Sequence, residues 1–458
     1  MKFFFRILFL LCFLPNFSAN ADLLSATSFY NKGEYQKAIN EFKRLAKLGN
    51  KDAIYNIGVM YLHGQGVKEN LFNAHSWFQL AADFGVEDAK SATQLIAQKI
   101  NQPQQLESGY LALNEHYGFE RYQKNLLPVF NQRPFQKSNQ PPRRIHTVDA
   151  KYPKSAYEKG IEGWVWLEFD IDESGAVKDV DIIDAFPDKT FNRAIYNAVR
   201  RWRYEPYRVD GKAQAFTSRS LLYHFTTFKG ERYQASFADQ KKEYQIKINR
   251  LIDAAEQGNA LIQYYIANWM NTDEHNATRL LKFHWQQATA SSDLLLASAE
   301  NGFPNSQYRL GANLLRGKYT RADREKGLNW ILNAAQSGFV FAQYRLAREL
   351  LDKRTIQYDV DKAKRWLTMA ADKGHFRSQR DLVELLLSEK NWPLAQQYLT
   401  KALQLDEEHP DLLLSQAKLK LVENDQAAAQ RLVNKAITEA EQRQWSIKKL
   451  TEFLHQIS

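Results

Sequence analysis

Hydrophobic and polar positions follow two different periods along the chain. From Asp22 to about residue 100, and again from about residue 240 to the C-terminus, apolar residues recur every three to four positions. That spacing predicts amphipathic helices, each with one buried stripe. Between them the pattern shortens to a period of two. In Trp164-Val165-Trp166-Leu167-Glu168-Phe169-Asp170-Ile171, the residues Val165, Leu167, Phe169 and Ile171 share one face of a strand. Asp172-Glu173-Ser174-Gly175 predicts a turn and Val177 to Ile183 the returning strand. Phe191, Ile195, Ala198, Val199 and Trp202 align on one face of a helix. Asp210-Gly211 marks another turn, and a last strand is expected over about Ala215 to Phe228. The expected order is β-β-α-β. Trp164 and Trp166 fall on the second sheet face, where they form either an aromatic interaction patch or a surface covered by another part of the chain.

The helical stretches repeat. Ala38, Gly49 and Ala53 recur as Ala74, Gly85 and Ala89, 36 residues on. Gly302, Gly338 and Gly374 are also 36 apart, as are Trp330 and Trp366, and Ala334-Ala335 returns as Ala370-Ala371. A repeat of this length accommodates two helices. Small Ala residues let the helices approach, Trp or Tyr fills the space between pairs, and Gly supplies a left-handed turn. Trp77, Trp330 and Trp366 are therefore expected in the core. Near the C-terminus the spacing shortens to 34, from Ala395 to Ala429 and from Ala402 to Ala436. Between Gly258 and Gly302 it lengthens to 44, which suggests an insertion near Thr289 to Leu296. Residues 101–144 lose the period and read as a polar, partly extended linker, to which Leu111-Ala112-Leu113 and Tyr117 to Tyr122 add one short helix.

These strings resemble known families. Ala53 to Ala89 carries Gly58, Tyr61, Gly64-Gln65-Gly66-Val67, Ala74, Trp77, Ala81-Ala82 and Gly85, and is similar to a SEL-like repeat; the 34-residue units resemble tetratricopeptide repeats. Such repeats imply α-solenoids that bind other proteins. The central segment resembles the TonB C-terminal domain. It does so through Tyr152-Pro153, Ala156, Gly160-Ile161-Glu162-Gly163, Gly175, Asp179-Val180, Pro187, Phe191 and Arg200-Arg201-Trp202-Arg203-Tyr204-Glu205-Pro206. The fold expected is mostly α, with two α-solenoid regions flanking a small α/β domain of TonB C-terminal type. The domain boundaries read as a signal peptide over 1–21, SEL-like repeats over 22–100, the linker over 101–144, and the TonB-like domain over 145–232. SEL-like repeats over 240–390 and tetratricopeptide-like repeats over 391–458 complete the chain.

The TonB resemblance implies docking by pairing a sheet edge with an extended segment of an outer-membrane receptor, because a strand edge presents unpaired backbone groups. Carried onto this chain, the pairing edge is Ser220, Leu221, Leu222, Tyr223, His224, Phe225 and Thr226. Val148 and Asp149 are expected beside the docked segment, Asp149 standing where the family tends to carry glutamine. The partner implied is an outer-membrane receptor or other envelope protein, and self-association through the same edge is a second use of it.

Composition narrows the location and the chemistry. The 458 residues include 62 Lys plus Arg, 52 Asp plus Glu and one cysteine. Cys12 lies in an N-terminal stretch with Lys2 and Arg6, the apolar run Ile7 to Leu14, and Ala19-Asn20-Ala21. This reads as a signal peptide cleaved after Ala21, delivering a periplasmic chain without cysteine and without a membrane span. Its formal charge is +8, from 60 basic and 52 acidic residues. The alternative is an uncleaved N-terminus anchored in the inner membrane, as in an energy transducer.

Catalytic signatures are not found. The ten His residues show no HExxH spacing, and no Gly-x-Ser-x-Gly occurs. Asp170-x-Asp172-x-Ser174-Gly175, with Asp181 further on, imitates the start of a calcium loop, but strands flank it. Arg200 to Tyr204 mixes bases and aromatics as single-stranded nucleic-acid sites do, yet it ends a helix, where Arg is expected to cap carbonyls. The reading is a protein-binding chain with no enzyme activity, no cofactor, no metal and no nucleic-acid partner. The scaffold of an unseen envelope hydrolase is the remaining alternative.

Overall fold

The computed structural model describes residues 23–130, 141–226, 245–272, 276–318, 320–352 and 356–458. The signal peptide expected over 1–21 lies outside them. Seven helices come first: α1 Leu23–Asn31, α2 Tyr35–Ala46, α3 Lys51–His63, α4 Leu71–Asp83, α5 Glu87–Ile100, α6 Pro103–Tyr117 and α7 Phe119–Asn125. The central segment adds β1 Arg144–His146, α8 Lys154–Glu158, β2 Gly163–Ile171, β3 Val177–Phe186 and α9 Asn192–Val199, then β4 Arg203–Tyr204, β5 Arg208–Val209, β6 Lys212–Ala213 and β7 Phe216–Phe225. Helices follow to the end: α10 at 245–256, α11 Ala260–Trp269, α12 Asn276–His284, α13 Ala290–Glu300, α14 Pro304–Arg316, α15 Arg324–Gln336 and α16 Val340–Leu350. The last six are α17 Val360–Asp372, α18 Phe376–Ser388, α19 Trp392–Leu403, α20 Pro410–Val422, α21 Gln426–Gln442 and α22 Lys448–Ile457. The chain is mostly α with one small α/β domain, as its periods predict.

Two compact units form, each from two separate stretches of chain: 1–134 with 303–373, and 135–302 with 374–458. The repeats nearest the C-terminus therefore belong with the strand-containing segment rather than with the preceding repeats.

In the first unit the repeat chemistry is regular. Asn70, Asp323 and Asp359 cap α4, α15 and α17, each accepting a hydrogen bond from the backbone N–H three residues on. Seven residues beyond each cap stands a tryptophan. Trp77 and Trp366 are buried, whereas Trp330 is only half-buried. The turn glycines Gly49, Gly85 and Gly338 take φ of +77° to +86°, the left-handed region open to glycine. Stretches distant in sequence are stitched together: Leu23 N–H donates to Ser337 O at 3.1 Å, and Gln336 Nε2 donates to Tyr122 Oη at 2.8 Å and to Gly49 O at 3.2 Å.

Residues 101–130, read as linker, hold α6 and α7. Each buries a single residue fully, Leu106 in α6 and Tyr122 in α7, which leaves little periodicity in the sequence. The long repeat before Gly302 contains an additional helix, α12, which precedes the position expected for the insertion.

In the second unit β2 is the centre of a three-stranded antiparallel sheet in the order β3-β2-β7. Val165, Leu167, Phe169 and Ile171 face α9, where they meet Phe191, Ile195, Val199 and Trp202 in one core. Two glycines are dictated sterically. A Cβ on Gly163 would lie 2.0 Å from Phe186 O, and one on Gly175, at φ +92°, would lie 2.0 Å from Tyr204 O.

Candidate docking site

The predicted edge residues all fall on or just after β7. Its register with β2 pairs Trp164 with His224, Val165 with Tyr223, Trp166 with Leu222, Leu167 with Leu221 and Glu168 with Ser220. The strand period then sorts them: Leu221, Tyr223 and Phe225 turn toward the α9 core, and Ser220, Leu222 and His224 toward the other face. Among the described residues β7 pairs with β2 alone, so it is the terminal strand of that sheet. Phe225 is buried, stacked on Phe191 with ring centroids 4.3 Å apart; Ser220 to His224 and Thr226 are half-buried.

Val148 is brought to the same core as Leu221 and Tyr223. Its carbonyl accepts a hydrogen bond from Trp202 Nε1 at 2.8 Å, which fixes the extended segment against the end of α9. Asp149 is exposed beside it. The Arg200 to Tyr204 run is structural, as expected for a helix end: Arg201 Nε donates to Asn197 O at 2.9 Å, and Arg144 stacks on Trp202 at 4.1 Å.

The second sheet face differs from an open aromatic patch. All nine residues of β2 are buried, with Trp164 at 0% and Trp166 at 1% exposure. Trp164 meets Tyr264 edge-on, with centroids 5.8 Å apart, and Phe186 meets Trp269 at 4.8 Å. Trp166 Nε1 donates to Ser220 Oγ at 2.8 Å. Antiparallel sheets can leave one face to water; here helix α11 and the last repeats cover it, so Trp164 and Trp166 are core residues.

The rest of that face is acidic and is met by bases. Three successive repeats present the starts of α18, α20 and α22 to β3 and its turn. His375, capping α18, places Nε2 3.3 Å from Asp181 Oδ2. His409, capping α20, places Nε2 3.0 Å from Asp179 Oδ1 while its Nδ1 accepts from Asp411 N–H, so Nε2 carries the proton. Ahead of α22, Trp445 Nε1 donates to Val177 O at 2.9 Å and Ser446 N–H to Asp172 Oδ2 at 2.8 Å. Helix N-termini carry partial positive charge, which suits the carboxylates they meet.

Two arginines complete the contact. Arg377 bridges Asp170 Oδ1 at 2.6 Å and Asp181 Oδ2 at 3.1 Å, and Arg380 pairs with Asp179. Lys178 Nζ lies 2.7 Å from Asp411 Oδ2. Burial alone would push these carboxyls up. Arg380, His409 and Lys178 outweigh it and hold Asp179 well below its ordinary value, as His375 and Arg377 do for Asp181 and as Lys178 and Arg380 do for Asp411. Asp179, His409 and Asp411 offer ligand atoms within 4.8 Å of one another, a spacing that suits a metal ion. The ammonium of Lys178 and the guanidinium of Arg380 already occupy the cationic role there. The calcium-like acids are likewise served by donors: Asp172 Oδ1 accepts from Ser174 N–H and Ala176 N–H, each at 2.9 Å, and Asp170 Oδ1 from Ser218 N–H at 2.7 Å.

Two families match separate parts of the chain. Residues 148–227 match the family model described as Gram-negative bacterial TonB protein C-terminal, and residues 51–85, 304–339 and 340–375 match the Sel1 repeat. The protein TonB of Escherichia coli K12 is 43% identical over 65 residues, 14% of this chain and 27% of that protein. That of Salmonella typhimurium LT2 is 41% identical over 85 residues, 16% of this chain and 35% of the relative. The chain thus spans about a quarter to a third of the length of these two relatives. Among solved structures, a Sel1 repeat protein from Oxalobacter formigenes is similar at 26% identity and TM-score 0.27, over 30% of this chain and 96% of that one. The protective antigen c5321 of uropathogenic Escherichia coli, with an SLR fold, is similar at 17% identity and TM-score 0.33, over 88% of this chain and 72% of its own.

Proposed function

We propose that this protein is a periplasmic protein-binding adaptor of the TonB type, acting in transport across the cell envelope. Its docking element is β7, which adds an extended segment of an outer-membrane receptor to the sheet by backbone pairing. The observation that supports this most is the position of β7 as terminal strand in a segment matching the TonB C-terminal domain. Val148 packs against the same core, with Asp149 exposed beside it. The helical repeats recruit a further protein, and no step of the reading is catalytic.

The buried second face refines the proposal. Receptor contact by the sheet is confined to its edge, because Trp164, Trp166 and the acidic positions are engaged within the unit. The last three repeats act as a brace for the docking domain on that side. Among the described residues no helix is long and apolar enough to cross a membrane.

The test is a photo-crosslinking amino acid placed in turn at Leu221 and Leu222, with the adducts identified by mass spectrometry. The expected product joins β7 to the periplasmic segment of an outer-membrane receptor. Successive N–H groups of an antiparallel strand point to opposite sides. Proline at Leu222 and at Tyr223 should therefore separate two effects: one loosens pairing with β2, the other abolishes capture while the sheet persists. Capture that survives both substitutions would overturn edge pairing.

A further inference from the structure

We propose that a cleft in the first unit binds an acidic, extended peptide segment of a partner protein. The cleft measures about 380 Å³ and is bordered by the C-terminal ends of α2 and α6 and by α7 and α17. Four basic side chains line it, Lys47, His116, Arg121 and Arg365, one from each element, and no carboxylate does. Leu126 and Met369, with tyrosine rings, supply apolar surface between them.

Several nearby bases are paired within their own helices, whereas those lining the cleft are not. On α17, Lys362 and Lys364 lie 3.6 and 3.7 Å from Asp359 and Asp361. On α2, Arg44 lies 3.2 Å from Glu41. Among the described residues no ion pair involves Lys47, Arg121 or Arg365, and all four bases are exposed. Lys47, Arg121 and Arg365, none of them ion-paired among the described residues, thus share one concavity with no carboxylate in its lining.

The walls are held in place. Trp366 Nε1 donates to Leu126 O at 3.2 Å, Lys362 Nζ to Leu127 O at 2.7 Å, and Gln336 Nε2 to Tyr122 Oη at 2.8 Å. A pre-formed cleft loses little entropy on binding. Bases distributed over four elements around an apolar floor suit a chain that alternates carboxylates with apolar side chains. The inference deepens the recruiting role given to the repeats and rests on that part of the reading; it does not depend on pairing at β7.

The experiment uses the full mature chain and a fluorescein-labelled peptide, Gly-Glu-Leu-Glu-Phe-Glu-Leu-Gly, followed by anisotropy. Binding should be saturable, weaken with salt as screening shortens the reach of each charge, and fall roughly tenfold or more in Arg121→Glu/Arg365→Glu. A peptide with Gln for every Glu should bind at least tenfold more weakly. If the double variant does not fold, Lys47→Glu/His116→Glu carries the same expectation. Equal binding by variant and parent, or by the Gln peptide, would overturn the proposal. So would binding to phosphatidylglycerol vesicles that is lost in the variant while the peptide is ignored. Tyr223→Pro should bind the peptide as the parent does, which separates failure here from failure of edge docking.

Discussion

Replacing Arg377 by Met tests whether the last repeats hold the docking sheet. The Arg377 side chain is 2% exposed and spans two carboxylates, Asp170 at 2.6 Å and Asp181 at 3.1 Å. Methionine fills part of the volume but leaves both acids in a closed space. Removing one partner of a buried ion pair costs about 3–5 kcal/mol. The lower figure applies, because Asp170 keeps the N–H of Ser218 at 2.7 Å and Asp181 keeps His375 at 3.3 Å. For a domain of this size, about 3 kcal/mol lowers Tm by roughly 6–12 °C. Calorimetry should show that shift in the transition of the second unit only, and hydrogen exchange should quicken in β3 and α18. Adding Asp181→Asn should restore part of the loss by removing one stranded charge, with a coupling above about 1 kcal/mol. A variant melting within a degree of the parent, with exchange in β3 unchanged, would refute the brace.

Three further outcomes are expected. The depressed carboxyls of Asp179, Asp181 and Asp411 take up protons in the unfolded chain near pH 4 but in the folded one only below that. Their contribution is therefore complete above the ordinary carboxylate range and lost as pH falls through it. The urea midpoint of the second unit should hold from pH 7 to 5 and drop from about pH 4 downward; a midpoint that rises on acidification contradicts the assignment. Trp164→Ala should behave as a core truncation, costing about 3–5 kcal/mol of stability, whereas lost receptor capture with unchanged melting would mark a contact surface. Mass spectrometry of the protein from periplasm should find an N-terminus at Asp22; intact Met1 in the inner membrane would favour the energy-transducer alternative.

Local chemistry was the readable part. The Ala-Gly-Trp spacing and the alternation in β2 made helices and strands legible, since each reflects a face that must be buried. The expectation of a docking edge came from resemblance, and the register places Ser220 to Phe225 on β7. What escaped was the partner of the second sheet face. Asp170, Asp172 and Asp181 read as a hairpin imitating a calcium loop because the cation bridging Asp170 and Asp181 is Arg377, 196 residues beyond Asp181. One signal was present: a face carrying Trp164 and Trp166 between acids is too apolar for water alone, and His375 and His409 recur 34 residues apart at helix starts. Helices α6 and α7, where one short helix is expected, were underestimated for a different reason. Their buried stripes are too thin for periodicity to register.

Edge pairing itself is tested most directly by hydrogen exchange over Ser220 to Thr226, with and without the synthetic receptor segment identified by crosslinking. The account predicts that amides of β7 facing away from β2 become slow to exchange on binding, while α9 and the braced face change little. Unaltered exchange along β7 with the segment bound, or protection appearing only in the repeats, would contradict it.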